Sequence, residues 1–408
     1  MELQPRGYKK VVQLIDKGAV IPNPSSLHIG DEVDLSRVVA KGLTIYPGCR
    51  IYGEKTVLSE GVVIGAEGPV TLEDCALGPG VELKGGYFRG SVFLEKARIG
   101  SGAQVREGCL VEEDASCAHA VGFKQTVLFP FATVGSLVNF CDCLLAGGSS
   151  REDHSEVGSG YVHFNYTPDG DKATASLFGD VPRGVMLNQP AIFLGGQGGA
   201  VGPVRLNFGT VVAAGSIVRE DVTEERQLVF TRMAKDVQRG HSPFAYKNLG
   251  RVLRNNVSYL ANLMALEEWY RVVRQEFFSQ QELGEAMLAA ALEVLSGAKE
   301  ERVKRLQVMV KNAVAAGAAQ KILVEHVAEI CASYGGDIVP QLGPEGEKFL
   351  DSLQALLQEN PGGYVETVSS LPPSVATQGV MWLQKVVDEL CRMADVLLED
   401  ACPTEAKA

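Results

Sequence analysis

Large aliphatic residues recur every six positions through much of the first half of the chain. One series is Ile45, Ile51, Val57 and Val63, a second is Ile99, Val105, Val111, Cys117 and Phe123, and the register resumes at Leu206, Val212 and Val218. Small residues accompany the second series four positions after its members, at Ala103, Cys109, Ala115 and Val121. This hexapeptide pattern predicts a parallel β-helix of triangular section, in which the large residue fills the interior and the small one fits the corner.

Three hexapeptides, or 18 residues, then close one coil, and successive coils stack about 4.8 Å apart. A β-sandwich would instead show alternation with a period of two and hairpin turns. Because the phase holds over four or five consecutive hexapeptides, the sequence favours a mainly β protein with a β-helix over residues 25–225.

Helical patterns flank the β-helix on both sides. Residues 7–20 place Val11, Val12, Leu14 and Ile15 on one helix face, so we predict an N-terminal helical cap over residues 1–24. After residue 240 apolar residues step by three and four, which predicts an all-α C-terminal domain over 240–408. Its helices are expected near 249–264, 282–296, 300–317, 320–334, 346–358 and 376–400. We expect Trp269 and Tyr270 in its core, whereas its role in capping, oligomerisation or docking a protein partner stays open.

Composition narrows the class of protein. The 408 residues carry a formal net charge of −12, which argues against a general nucleic-acid binder. The nine cysteines show no CxxC pair and no metal-type Cys/His spacing, so we expect small buried thiols in a reducing compartment and no metal site. The start is not a secretory signal, and no run of about 18 apolar residues occurs. We therefore expect a cytoplasmic protein without a membrane segment.

Two cations are candidates for ligand binding. Arg106 and Lys124 lie 18 residues apart, which places them on neighbouring coils and on the same side of the prism. Two adjacent cations are compatible with a bound phosphate between or beside them. The alternative is a solvated pair that Glu107, Glu112 and Glu113 balance.

Polar insertions interrupt the hexapeptide register between residues 141 and 205. Within HFNYTPDGDK, Thr167-Pro168-Asp169-Gly170 is a turn signature that would direct Lys172 outward, near Asn165 and Tyr166. His154 lies in REDHSEV, where a neighbouring carboxylate would hold its tautomer, whereas His163 falls on an inward position and is expected in the core. The glycines of FLGGQGG would let backbone approach a ligand or a neighbouring subunit. We expect these insertions to form one side of a ligand pocket.

Several of these motifs resemble those of a known family. QVREG and VGFKQ, NYTPDGDK and TVVAAGS are similar to segments of the acetyltransferase half of the bifunctional UDP-N-acetylglucosamine pyrophosphorylase / glucosamine-1-phosphate N-acetyltransferase family, over residues 30–222. The resemblance implies a left-handed β-helix, a homotrimer with pockets between subunits, acetyl-CoA as co-substrate and no metal requirement. We expect the pyrophosphorylase half of that family to be absent, and the helical region after residue 240 is foreign to the family pattern.

The resemblance also implies roles for individual residues. The sugar phosphate would contact Arg106, Lys124, Asn165, Tyr166 and Lys172, and acetyl-CoA would contact Ala214 and Arg219. The general-base histidine of the family should follow the lysine by one corner, but FPFATVGSLVNFCDC offers only Ser136, Asn139 and Phe140 there. His154 is the candidate catalytic base in its place, and the alternative is that His154 is a solvated loop residue.

Three functions remain open at this point. The first is a CoA-dependent acyltransferase acting on an amino sugar or sugar phosphate. The second is a non-catalytic protein that binds a sugar phosphate or nucleotide sugar, or scaffolds another enzyme, and has lost the base. The third is a purely mechanical solenoid, which would not need Asn165, Tyr166 and Lys172 clustered after a proline turn.

Overall fold

The computed structural model describes residues 7–231, 236, 238, 240–246, 248–317, 322–335 and 342–401. These residues form a parallel β-solenoid followed by helices, which confirms the predicted fold class. Strands stack in parallel on three walls, and each coil contributes a strand to one wall after another. We number the walls in the order in which β3, β4 and β5 occupy them.

The first wall carries β1 (His28–Ile29), β3 (Arg50–Tyr52), β6 (Val70–Glu73), β9 (Gly86–Arg89), β12 (Ala103–Val105), β19 (Val162–Phe164), β22 (Gly199–Val201) and β25 (Ile217–Val218). The second wall carries β4 (Val57–Leu58), β7 (Ala76–Leu77), β10 (Val92–Phe93), β13 (Leu110–Val111), β20 (Ser176–Phe178) and β23 (Arg205–Leu206). Two longer strands, β15 (Gly122–Leu128) and β17 (Asn139–Leu145), turn the corner and serve both walls. The third wall carries β2 (Thr44–Ile45), β5 (Val63–Ile64), β8 (Glu82–Leu83), β11 (Arg98–Ile99), β14 (Ser116–Cys117), β16 (Thr133–Val134), β18 (Glu156–Val157), β21 (Phe193–Leu194), β24 (Val211–Val212) and β26 (Leu228–Val229).

The predicted inward series is correct in the middle coils and wrong near the start. Val105 pairs with Phe123 across an 18-residue coil, as predicted. Ile45, however, pairs with Ile64, so this early coil is 19 residues long. The extra residue moves the inward position from Val57 to Leu58 and from Val63 to Ile64, because every later side chain in the coil shifts by one.

The second wall is apolar on both of its faces. Each of its strands from β4 to β13 has two buried residues, as do the second halves of β15 and β17. Phe93 points inward, since its ring contacts that of Phe88 on the first wall. Its neighbour Val92 points outward and lines a cavity with Ala290 and Val294 of the helical region. One residue of each pair therefore fills the prism while the other is covered by helices.

Helices precede, interrupt and follow the solenoid. They are α1 (Tyr8–Asp16), α2 (Val181–Gly184), α3 (Leu249–Trp269), α4 (Gln275–Phe278), α5 (Gly284–Ala315), α6 (Ile322–Gly335), α7 (Gly343–Glu359), α8 (Tyr364–Ser369) and α9 (Pro373–Ala401), with a π-helical turn at Tyr270–Arg274 and 3-10 turns at Pro24–Ser26 and Leu35–Arg37. The two helices predicted at 282–296 and 300–317 are one helix, α5, and α8 was not predicted. Residues 1–6 of the predicted cap lie outside the described residues, as do residues 247, 318–321, 336–341 and 402–408 of the predicted C-terminal domain. The first two residues of the predicted helix at 320–334 are among them.

The C-terminal helices lie along the second wall. Helix α5 contacts β7 and β10, and α3 contacts β20. Two nearly fully buried ion pairs cross the interface, Arg274 with Glu113 and Arg302 with Asp142. Trp269 and Tyr270 are fully buried, which confirms them as core residues.

The N-terminal helix buries a narrower face than predicted. Val11 and Leu14 are fully buried, whereas Val12 and Ile15 are each 37% exposed. Helix α1 packs against β1, and the Lys10 ammonium donates to the carbonyls of Gly30 and Asp31. The helix is therefore anchored to the first coil by one apolar stripe and one lysine.

The described cysteines form no disulfide. Eight of the nine lie in the described residues and are free thiols, and seven of these are buried, while Cys402 lies outside them. No group of three or more His, Cys, Asp or Glu side chains in the described part of the chain could hold a metal ion. Of the described helices, none contains a stretch long and apolar enough to cross a membrane.

Candidate functional site

Arg106 and Lys124 are neighbours on adjacent coils. Val105 pairs with Phe123, and the Arg106 amide donates to the Phe123 carbonyl at 2.9 Å, so the two cations follow in register. Both lie at the corner where the first wall meets the second, and both side chains reach solvent. One coil earlier Phe88 pairs with Val105, which places Arg89 beside Arg106. The corner thus carries three stacked cations.

The three carboxylates predicted to balance Arg106 and Lys124 lie in two different places. Glu107 pairs with Lys124 at 3.0 Å. Its backbone hydrogen bond and then Lys124 lower the pKa of Glu107, so an anionic ligand would compete with an ionised carboxylate for Lys124. Glu112 and Glu113 are buried and contact Tyr270 and Arg274 of the helical region. Of the three carboxylates, only Glu107 contacts this pair of cations.

The next coil places Cys141 and Asp142 beside these cations. Lys124 pairs in register with Cys141. Burial and then Asp142 raise the pKa of the Cys141 thiol, while nearby Arg106 and Lys124 lower it. Asp142 is nearly fully buried, and its Oδ1 accepts from Arg302 Nη2 at 2.7 Å. The corner therefore continues from an exposed cationic part into a buried ion pair.

The polar loop that follows β19 lies beside this ion pair. The predicted turn forms, with the Gly170 amide donating to the Thr167 carbonyl at 2.9 Å. Asn165 Nδ2 donates to Asp142 Oδ2 at 3.5 Å, whereas Tyr166 is 66% exposed and Lys172 is exposed. The structure thus brings Asn165 to the same corner as Arg106 and Lys124.

A cavity of about 530 Å³ borders this loop. Thr167, Asp171 and Arg219 line it, together with Tyr246 and with Arg251 of α3. Arg219 aligns with Val201 on the first wall, since Gly199 pairs with Ile217 and Ala200 with Val218. Arg219 consequently shares the corner of Arg106 and Lys124, several coils further on.

His154 lies at a different corner, where the second wall meets the third. Its loop joins β17 to β18, and His154 Nδ1 hydrogen-bonds the Arg151 carbonyl at 2.8 Å. The expected carboxylate contact is not made by Asp153, whose Oδ2 accepts from Ser149. The second wall and the helices that contact it lie between His154 and Lys124.

A histidine that sequence reasoning missed borders the first wall. His119 is exposed at the corner between the third and first walls, and its Nδ1 lies 3.0 Å from Ser136 Oγ on the next coil. The 18-residue count does not reveal this contact, because Ser116 pairs with Thr133 and this coil is 17 residues long, which stacks His119 beneath Ser136. His119 and Lys124 border the same wall at its two edges.

His163 is a core residue, as expected. It is 1% exposed, with Nε2 at 2.7 Å from Ser176 Oγ, and burial lowers its pKa to about 4.

The predicted acetyl-CoA contacts flank the first wall. Ala214 is exposed in the turn after β24, at the corner with the third wall, whereas Arg219 lies at the opposite corner. The glycine run before β22 serves coil stacking, because a Cβ on Gly195 would lie 2.4 Å from the Ala214 amide nitrogen. Its close approach is therefore to the next coil of the same chain.

About half of the chain is similar to curated proteins of one kind. It is 26% identical over 215 residues to the bifunctional protein GlmU of Thermotoga maritima, covering 52% of this chain and 42% of that protein. For the bifunctional protein GlmU of Staphylococcus haemolyticus the identity is 26% over 230 residues, or 56% and 45% of the two chains. For that of Carboxydothermus hydrogenoformans it is 25% over 217 residues, or 53% and 43%.

The chain thus matches less than half the length of these relatives, and no profile of a known protein family matches it. The similarity and the parallel β-solenoid together are consistent with the left-handed β-helical acetyltransferase half of GlmU.

Proposed function

We propose that the protein is a CoA-dependent acyltransferase that acts on an amino sugar or sugar phosphate, with the first wall as its active site. The observation that carries the proposal is the stacking of Arg106 and Lys124 at the edge of this wall, next to Asn165. The similarity to GlmU proteins supports the reaction class.

The chemistry assigns a task to each edge of the wall. Arg106 and Lys124 neutralise the phosphate of the acceptor, and Glu107 releases Lys124 when the phosphate binds. The acceptor amine attacks the thioester carbonyl carbon, the carbon–sulfur bond breaks, and the CoA thiolate leaves. A base takes the proton from the amine, and backbone amides of the later coils near Ala214 stabilise the oxyanion.

Two histidines are candidates for that base. His119 is our candidate within one chain, because it borders the wall that carries the phosphate contacts. His154 can contribute only from another subunit, since the second wall and its helices separate it from Arg106. Acetyl transfer by His119→Ala and His154→Ala variants separates these assignments.

We further propose a homotrimer in which the first wall of one subunit packs beside the third wall of the next. The second wall is covered by the chain's own helices. On the third wall the exposed side chains of Phe193, Val211 and Leu228 form a column, since Phe193 pairs with Val211 and Val211 with Leu228. In such an assembly the corner carrying His154 approaches the neighbour's Arg106 and Lys124.

The test combines binding with turnover. Thermal shifts are measured with acetyl-CoA, glucosamine-1-phosphate and UDP-N-acetylglucosamine, and transfer is followed by release of free CoA thiol. Loss of one charged contact costs about 1.5–3 kcal/mol, so Arg106→Ala raises the KM for the phosphate substrate roughly 10- to 100-fold. The control is Arg271→Ala, because Arg271 is an exposed arginine of the helical region, away from the first and third walls, that pairs with Glu267. Absence of transfer with every acceptor refutes the enzyme.

A non-catalytic binder of sugar phosphates or nucleotide sugars is the second candidate. It is favoured because the segment where the resemblance places the base offers Ser136, Asn139 and Phe140 and no histidine, and because His154 lies at another corner. Stabilisation by the sugar compounds without stabilisation by acetyl-CoA and without transfer supports this candidate over the enzyme.

A further inference from the structure

Helix α5 places one buried guanidinium beneath the candidate site. Arg302 has a side chain that is 2% exposed. Its Nη2 donates to Asp142 Oδ1 at 2.7 Å, and its Nη1 donates to the carbonyl of Lys172 at 3.2 Å. A single residue of the helical region therefore joins the corner of the solenoid to the end of the polar loop.

Asp142 transmits this contact to Asn165. While Oδ1 faces Arg302, the other carboxylate oxygen, Oδ2, accepts from the Asn165 amide at 3.5 Å. One of the two N–H groups of the Asn165 amide thus faces Asp142, which fixes the direction of the side-chain carbonyl and of the second N–H. The orientation of Asn165 thus depends on a carboxylate that Arg302 holds in place.

The rest of the loop is tied to the same part of the chain. Tyr246 Oη donates to Asp171 Oδ2 at 2.6 Å, and the Phe244 amide donates to Asp169 Oδ1 at 2.7 Å. Asn256 of α3 donates to the carbonyl of Ala173 at 2.9 Å. Since the loop leaves the β-ladder between β19 and β20, its order comes largely from these contacts.

We propose that Arg302 is a positioning residue for the ligand site on the first wall, and that it sets Asn165 and Lys172 through Asp142 and the Lys172 carbonyl. The C-terminal helices are then part of the binding site's support, although none of their residues needs to touch the ligand. The identity of the ligand rests on the proposed function, whereas the ordering of the loop does not.

The decisive variant replaces the buried ion pair by apolar residues of similar size, Arg302→Met/Asp142→Leu. Such replacements commonly preserve folding, because they remove both buried charges together. The matched control is Arg274→Met/Glu113→Leu, which changes the other buried ion pair between the helices and the second wall. Both variants lose one interdomain ion pair, but only the first lies under the loop.

Two measurements are made on the full chain. Hydrogen exchange of residues 165–173 is followed without ligand, and the KM and kcat for glucosamine-1-phosphate are followed in the transfer assay. We expect roughly tenfold or faster exchange in the loop and a KM raised about tenfold or more, with a smaller change in kcat, for Arg302→Met/Asp142→Leu alone. Arg302→Lys keeps the charge opposite Asp142 and should restore part of both effects.

Unchanged loop exchange in a folded Arg302→Met/Asp142→Leu variant would overturn the proposal, as would equal effects in the control. If the double variant fails to fold, Arg302→Lys decides, and wild-type exchange in its loop has the same consequence. Failure of the proposed function is a separate outcome: the wild type then shows no transfer and no binding of glucosamine-1-phosphate, while the exchange of the loop still tests Arg302.

Discussion

Two consecutive leucines on the second wall should respond differently to the same truncation. Leu144 and Leu145 are both fully buried in β17. Leu145 pairs with Phe178, whose ring contacts Phe140 inside the prism, so Leu145 points inward. Leu144 pairs with Leu177, which lines a cavity together with residues of α3 and α9, so Leu144 points towards the helices. Leu144→Ala and Leu145→Ala therefore remove equal side chains from opposite faces of one strand.

Each truncation should cost about 2–5 kcal/mol, the usual range for a buried leucine. For Leu144→Ala this loss falls on the contact between the helices and the second wall. Because 1.4 kcal/mol corresponds to a tenfold change in an equilibrium constant, amide exchange in α3 and α5 should quicken by a factor of roughly 30 or more. For Leu145→Ala the loss falls on the solenoid, so exchange should quicken in β15, β17 and β20 as well.

Hydrogen exchange with mass spectrometry on the two full-length variants distinguishes the outcomes by segment. Exchange in α3 and α5 that stays at the wild-type rate in Leu144→Ala would refute the docking of the helices on this wall. Identical exchange patterns in the two variants would refute the assignment of opposite faces.

Three further results are expected. Gly158→Ala should lower the Tm strongly, because its Cβ would lie 2.3 Å from the Gly196 amide nitrogen. The control Gly68→Ala should leave the Tm nearly unchanged, because its Cβ would have no atom within 4 Å. Equal Tm values for the two variants would contradict the stacking of the coils. Val211→Glu should convert a trimer to monomers in size-exclusion chromatography with light scattering, and an unchanged mass would argue against the third wall as the interface. Burial raises the pKa of Glu112 from 4.5 to about 8, so the folded state holds this proton more tightly than the unfolded chain. The free energy of unfolding should therefore fall as the pH rises from 4.5 to 8, by at most about 1.4 kcal/mol per pH unit. Glu112→Gln should flatten that slope in urea melts, and an unaltered slope would contradict the assignment.

The solenoid could be predicted from sequence because its determinants are local and periodic. The large residues that recur every six positions from Ile99 to Phe123 point inward, and the 18-residue count places Arg106 beside Lys124. The same count failed where coils have other lengths. The 19-residue coil between Ile45 and Ile64 moved the inward position away from Val57. Periodicity reports the interior faithfully only while the length of the coil stays constant.

The missed features depend on which wall each residue occupies and on what covers that wall. Apolar pairs such as Leu110-Val111 and Leu144-Leu145 indicate a wall buried on both faces, and this signal was readable in the sequence. Helical periodicity identifies the buried face of a helix but not what that face packs against. It therefore could not show that helix α5 covers this wall and brings Arg302 to Asp142. The corner that His154 occupies could not be derived either, because the inserted loop before β18 breaks the residue count that relates it to Lys124.

The central claim is that the first wall holds the acceptor phosphate at the corner of Arg106 and Lys124. A crystallographic or cryo-EM map of the full chain soaked with glucosamine-1-phosphate tests it directly. The account predicts phosphate density within about 3 Å of the Arg106 guanidinium and the Lys124 ammonium, with Lys124 released from Glu107. Density at another corner, with Lys124 still paired to Glu107, would contradict it.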